Sequence, residues 1–247
     1  MITLTANDAV HKAWLYRLLI AIVDNNKLHD LCFKGGTAAA MAGYLDRFSV
    51  DLNFDYVGSF EKISLVRKEL KKIFKDLGLE IKDESAKVPQ FFLKYPTKDP
   101  AWRNTLKIDI TFPVPQANKY EAIKLRDIER MVVCQDISTM FANKLVAVMD
   151  RYERHKTLAG RDIYDIHHFF LNGYNYNQEV IIERTGLTLI VFFHKLSLFI
   201  NKHINNTVLD QDLNFLLPYD RFRQLRKTLK IETEMFIKEN IKNLEKS

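Results

Sequence analysis

Cysteine, proline and glycine are all scarce in this 247-residue chain, at 2, 6 and 8 residues. Two isolated thiols, Cys32 and Cys134, each in an apolar strand-like run, make no disulfide framework and suit a reducing cytosol. A glycine-poor chain with 17 Phe and 10 Tyr argues against extensive disorder. Long apolar runs are missing as well. The longest, Leu187 to Ile200, is interrupted by His194 and Lys195 and is too short to span a bilayer, so it predicts a buried helix. The opening MITLTANDAVHK lacks the charged-then-apolar order of a signal peptide. A cytoplasmic protein with no membrane partner is the expectation. Metal and hydrolase motifs are equally lacking. There is no HExxH and no Cys/His spacing for zinc, and the adjacent His167 and His168 diverge by ~100° on a helix. No G-x-S-x-G elbow is present.

What remains is ordinary globular material, 47% apolar and 28% charged, long enough for a substantial core. The net charge of +6 permits an anionic partner such as RNA or nucleotide without demanding one. Residues 7–24 put Val10, Trp14, Leu18, Leu19 and Ile22 on one helical stripe, and residues 60–77 repeat the pattern with Ile63, Val66, Leu70, Ile73 and Leu77. Strands are expected at 31–33, 79–82, 91–95 and 104–112. Short extended pieces at a sheet edge are expected at 123–128 and 131–134. Beyond Asp136 nearly everything reads as helix, over 137–153, 161–172, 180–203 and 219–244, with Gly160, Gly173 and Pro218 as breaks. The prediction is an α+β N-terminal domain, 1–135, with a mixed sheet, followed by a helical C-terminal domain, 136–247.

The chemistry concentrates between residues 34 and 55. In Val50 to Tyr56 the apolar residues alternate with Asp51, Asn53 and Asp55, so a strand buries one face and presents the polar row on the other. The strand at 104–112 alternates in the same way and sets Lys107 and Asp109 on its polar face. Gly35, Gly36 and Thr37 stand at the start of a helix, where free N–H groups favour an anion. An ordinary strand-to-helix turn is the bland alternative. The segment is not a P-loop, because its lysine precedes the glycines.

Four segments together carry a family resemblance. They are Lys34-Gly35-Gly36-Thr37-Ala38-Ala39; Arg47-Phe48-Ser49-Val50-Asp51-Leu52-Asn53; Lys107-Ile108-Asp109-Ile110; and the helical run Phe141 to Ala147, Arg151, then Arg161-Asp162-Ile163-Tyr164-Asp165. They resemble the AbiEii family of bacterial abortive-infection toxins, within the nucleotidyltransferase superfamily that includes DNA polymerase beta. The resemblance covers residues 30–172. It implies a nucleotidyltransferase-like fold and a metal-dependent transfer of nucleotide from a nucleoside triphosphate to RNA, tRNA above all. A cognate antitoxin is implied as partner. Asp51, Asn53 and Asp109 would hold Mg²⁺ or Mn²⁺. Asp51, Asp109, Lys144 and Asp162 would be catalytic, and Lys34, Gly35, Gly36, Thr37, Ser49, Lys107, Arg151 and Arg161 would contact substrate. Lys144 has a second reading, a snorkelling lysine with a solvated head. Asp165 is as well explained by a structural role as by a functional one.

Asn53 departs from the family pattern, which has an acid there. A carboxamide gives a metal one neutral oxygen and no charge, which weakens binding. Asp55, about 6.6 Å further along the strand, either compensates or ends the strand in solvent. The alternative to an active enzyme is therefore a weakened nucleotide- or partner-binding protein of the same fold.

Overall fold

The computed structural model describes residues 5–97, 102–214 and 216–246. The chain divides into two compact units: Thr3–Val114 with Tyr120–Gln135, and Pro115–Lys119 with the chain from Asp136 onward.

The first unit is built on a mixed seven-stranded sheet. Helix α1 (Ala6–Val23) starts at a reciprocal cap between Thr5 and Asp8 and buries His11, Leu15, Leu18, Leu19 and Ile22. Strand β1 (Leu31–Lys34) runs straight into the short helix α2 (Gly35–Met41), and β2 (Asp51–Tyr56) returns antiparallel to β1. After α3 (Ile63–Asp76) come β3 (Glu80–Glu84), β4 (Gln90–Lys94), β5 (Thr105–Thr111), β6 (Tyr120–Leu125) and β7 (Arg130–Gln135). The strand order is β3-β4-β5-β2-β1-β7-β6, with β2 parallel to β5 and β1 parallel to β7. Of the two extended pieces expected at an edge, only β6 is one. β7 lies inside, because Phe33 of β1 pairs with Cys134.

One sheet face is apolar. Phe33, Leu52, Phe54, Phe91, Leu93, Leu106, Ile108 and Ile110 are all buried, and Phe74 of α3 meets Phe91 edge-on at 5.0 Å. Burying this row, at roughly 25 cal/mol per Å² of apolar surface, is what fixes strand register. The opposite face is thereby committed to the polar alternates.

The second unit is helical. Asp136 caps α4 (Ile137–His155) through the Thr139 amide at 2.7 Å. Next is α5 (Gly160–Leu171), which opens on Gly160 because a Cβ there would lie 2.6 Å from the Val208 carbonyl oxygen. The expected single helix over 180–203 is two, α6 (Gln178–Thr185) and α7 (Leu189–His203). Gly186 at φ +66° ends α6, its N–H bonding the Ile182 carbonyl. An additional short helix, α8 (Asn206–Leu213), is capped by Asn205 and precedes α9 (Tyr219–Lys246). The apolar run in α7 is half-buried rather than enclosed: Phe192, Phe193, Leu196 and Ile200 are inside, whereas Leu198 is 72% exposed. Among the described residues no helix is long and apolar enough to cross a membrane.

Candidate active site

Register on the sheet decides which side chains meet. Asp51 pairs with Lys107, Asn53 with Asp109 and Asp55 with Thr111, across the parallel β2–β5 ladder. Paired residues in adjacent strands point to the same face, so Asp51, Asn53, Lys107 and Asp109 form one polar cluster. Lys34 joins it from β1, directly opposite Asn53.

The Asp109 carboxylate accepts from the Lys107 ammonium at 2.9 Å and from the Gln90 amide at 3.1 Å. Gln90 stands opposite Asp109 on β4, a neighbour whose polar position falls in register with the row. Lys107 also lies over the Phe92 ring, 5.8 Å from its centroid.

The glycine turn abuts this row. Gly35 takes φ +79°, a left-handed value that disfavours any side chain, and a Cβ there would come 3.3 Å from the Asn53 amide nitrogen. A Cβ on Gly36 would lie 2.6 Å from the Arg47 guanidinium, itself buried. The Thr37 hydroxyl lies 2.5 Å from the Asp51 carbonyl and 2.9 Å from the Ser49 hydroxyl, so both side chains pin the start of β2. Their positions fix Asp51 through its backbone.

Asp55 neither ends the strand in solvent nor faces an open site. It is fully buried. Lys34 donates to it at 2.6 Å, the Gln135 amide at 2.6 Å and the Tyr120 hydroxyl at 2.9 Å. Lys34 also reaches the Thr111 hydroxyl at 2.6 Å. A buried carboxylate needs such partners, since desolvation without them is prohibitive. Near it, burial pushes the Cys32 thiol up to about 12, and Cys134 likewise, which leaves both as inert core residues.

The second unit carries the other predicted residues. Lys144, on α4, lies 2.9 Å from Asp162 and 2.8 Å from Asp165, both on α5 and both buried. Arg151 also donates to Asp162, from Nε at 3.2 Å and Nη2 at 3.1 Å. Burial alone would raise the Asp162 carboxyl, but the Lys144 and Arg151 charges prevail and hold it at about 2. Arg161 adds to that depression, and its backbone N–H reaches Asp212 at 3.3 Å. Lys144 is thus not a merely snorkelling lysine: two carboxylates fix its ammonium.

As a metal centre the first cluster offers oxygen donors only, Asp51, Asn53 and Asp109, the type that hard divalent cations take. Among the described residues no three His, Cys, Asp or Glu side chains come together as a metal site. By donor type this set suits a hard divalent cation, but Asn53 adds no charge and Lys107 shares Asp109.

Solved structures share this fold. JHP933 from Helicobacter pylori matches at 24% identity and TM-score 0.62 over 99% of this chain and 96% of that one. MenT4, a nucleotidyltransferase toxin from Mycobacterium tuberculosis H37Rv, matches at 14% identity and TM-score 0.58 over 94% of this chain and 84% of that one. The sequence matches the family described as nucleotidyl transferase AbiEii toxin, type IV toxin–antitoxin system, over residues 17–233. The chain belongs to that family and is a nucleotidyltransferase of the toxin type. No curated protein gives a significant match.

Proposed function

We propose that the protein transfers a nucleotide from a nucleoside triphosphate to the end of an RNA acceptor, tRNA in the first instance. A divalent cation, Mg²⁺ or Mn²⁺, serves the reaction, and the protein is the toxin partner of a cognate antitoxin. The observation that carries the reading is the register of β2 against β5, which sets Asp51, Asn53 and Asp109 on one face beside the Gly35–Thr37 turn.

The acceptor hydroxyl oxygen forms a bond to the α-phosphorus while the bond from that phosphorus to the bridging oxygen breaks, releasing pyrophosphate. Asp51, Asn53 and Asp109 would hold the divalent ion, which would supply Lewis-acid polarisation of phosphate and hydroxyl oxygens. Backbone N–H groups at Gly35 and Gly36 receive phosphate oxygens, and a carboxylate of the same face takes the hydroxyl proton. Within the helical unit, Asp162 holds the Lys144 and Arg151 cations in place, a paired positive charge of the kind that binds phosphate oxygens.

The test is incubation of the protein with each labelled nucleoside triphosphate, total tRNA and Mg²⁺ or Mn²⁺, beside Asp51→Ala. Label on tRNA from the native protein and a drop on the order of 10³-fold in the variant are expected. Absence of transfer with every nucleotide and both metals, from folded protein, points instead to the alternative that Asn53 suggests, a nucleotide- or partner-binding protein.

A further inference from the structure

We infer that this centre works with one divalent cation, and that the Lys107 ammonium supplies the positive charge a second cation would bring. The inference rests on the nucleotidyl-transfer reading above and specifies how its site is charged.

Two-metal centres bridge their ions, ~3.5–4 Å apart, with carboxylates that offset the added charge. Here the polar face cannot supply that offset. Asn53 contributes no charge at the position between Asp51 and Asp55 on β2. Asp55 is engaged inside the protein by Lys34, Gln135 and Tyr120. Lys107 stands opposite Asp51 in the ladder and donates to Asp109 at 2.9 Å. Two carboxylates and one ammonium leave a single net negative charge, enough for one divalent ion.

The ammonium is also held. Phe92 backs it, and Gln90 donates to the same Asp109 oxygen, Oδ2, that the ammonium bonds. It is therefore a preorganised cation on the reacting face, of the kind that stabilises charge developing on phosphate oxygens. A second divalent ion within ~4 Å of it would be repelled.

The experiment counts bound Mn²⁺ by electron paramagnetic resonance, using the native protein with α,β-methylene triphosphates of the four ribonucleosides in turn. One Mn²⁺ per chain, without coupling to another, is expected. Lys107→Met should admit a second, spin-coupled Mn²⁺ with affinity raised at least about tenfold. Asn53→Asp should do the same by adding charge, and Lys107→Arg should stay at one. Two coupled Mn²⁺ in the native protein, or variants that all remain at one, overturn the inference and leave the transferase reading standing. No bound Mn²⁺ in any form overturns both.

Discussion

Each unit of this protein buries a carboxylate against a lysine, and the two arrangements differ in what surrounds the cation. In the sheet unit, Asp55 receives Lys34, Tyr120 and Gln135, and Lys34 in turn reaches Thr111. Those contacts tie β1, β2, β5, β6 and β7 together. In the helical unit, Asp162 and Asp165 share Lys144, and Arg151 joins at Asp162. The Lys34 and Lys144 side chains are similarly exposed, 20% and 17%, whereas Arg151 is 35% exposed. In the sheet unit the lysine locks strands. In the helical unit Arg151, backed by the buried Asp162, holds positive charge where an anion can reach it.

Removing each lysine should separate the two roles. Lys144→Met removes a cation shared by two buried carboxylates, of which Asp162 keeps Arg151, and should cost about 3–5 kcal/mol of stability, read from denaturant midpoints. Transfer should also fall by on the order of 10²-fold in protein that remains folded, beyond the stability effect. Lys34→Met leaves Asp55 its neutral donors Gln135 and Tyr120 and should cost less, about 2–3 kcal/mol. Measured transfer per folded molecule should then fall less than in Lys144→Met, and an equal loss in both variants would erase the distinction.

Acid should act on the helical cluster in a defined window. The Asp162 carboxyl is held at about 2, below its ordinary 3.8. The stability it contributes is therefore complete above pH 3.8 and is lost as pH falls toward 2, about 2 kcal/mol in all. Chemical denaturation across that range checks it, and Asp162→Asn should flatten this part of the profile.

Packing offers a smaller contrast within the helices. Gly160→Ala drives a methyl against the Val208 carbonyl of α8 and should cost about 1–3 kcal/mol. Gly186→Ala meets open space and suffers only its left-handed backbone, about 1 kcal/mol. Thermal melts of the two variants should rank them in that order.

The alternation in 50–56 and 104–112 made both central strands legible, because a face that must be buried shows in every second residue. The same alternation misled at Asp55. It announced a polar position, and the strands that enclose it bring Tyr120 and Gln135 from 65 and 80 residues away. Gln90 was invisible for the same reason: nothing local marks the partner of Asp109. The break at Gly186 was legible in principle, since a glycine within an apolar-periodic stretch signals a left-handed cap. The length of the apolar run that follows outweighed it.

By itself the sequence determined the central strands and most of the helices, the polar row with Asn53 in it, and the membership of the chain in its family. Those properties are local: periodicity, caps and motif spacing. Tertiary structure decided how the row is charged. Register put Lys107 beside Asp109, and distant strands enclosed Asp55 with Lys34. Charge at a site depends on which groups share a few ångströms, and only the folded chain sets those distances.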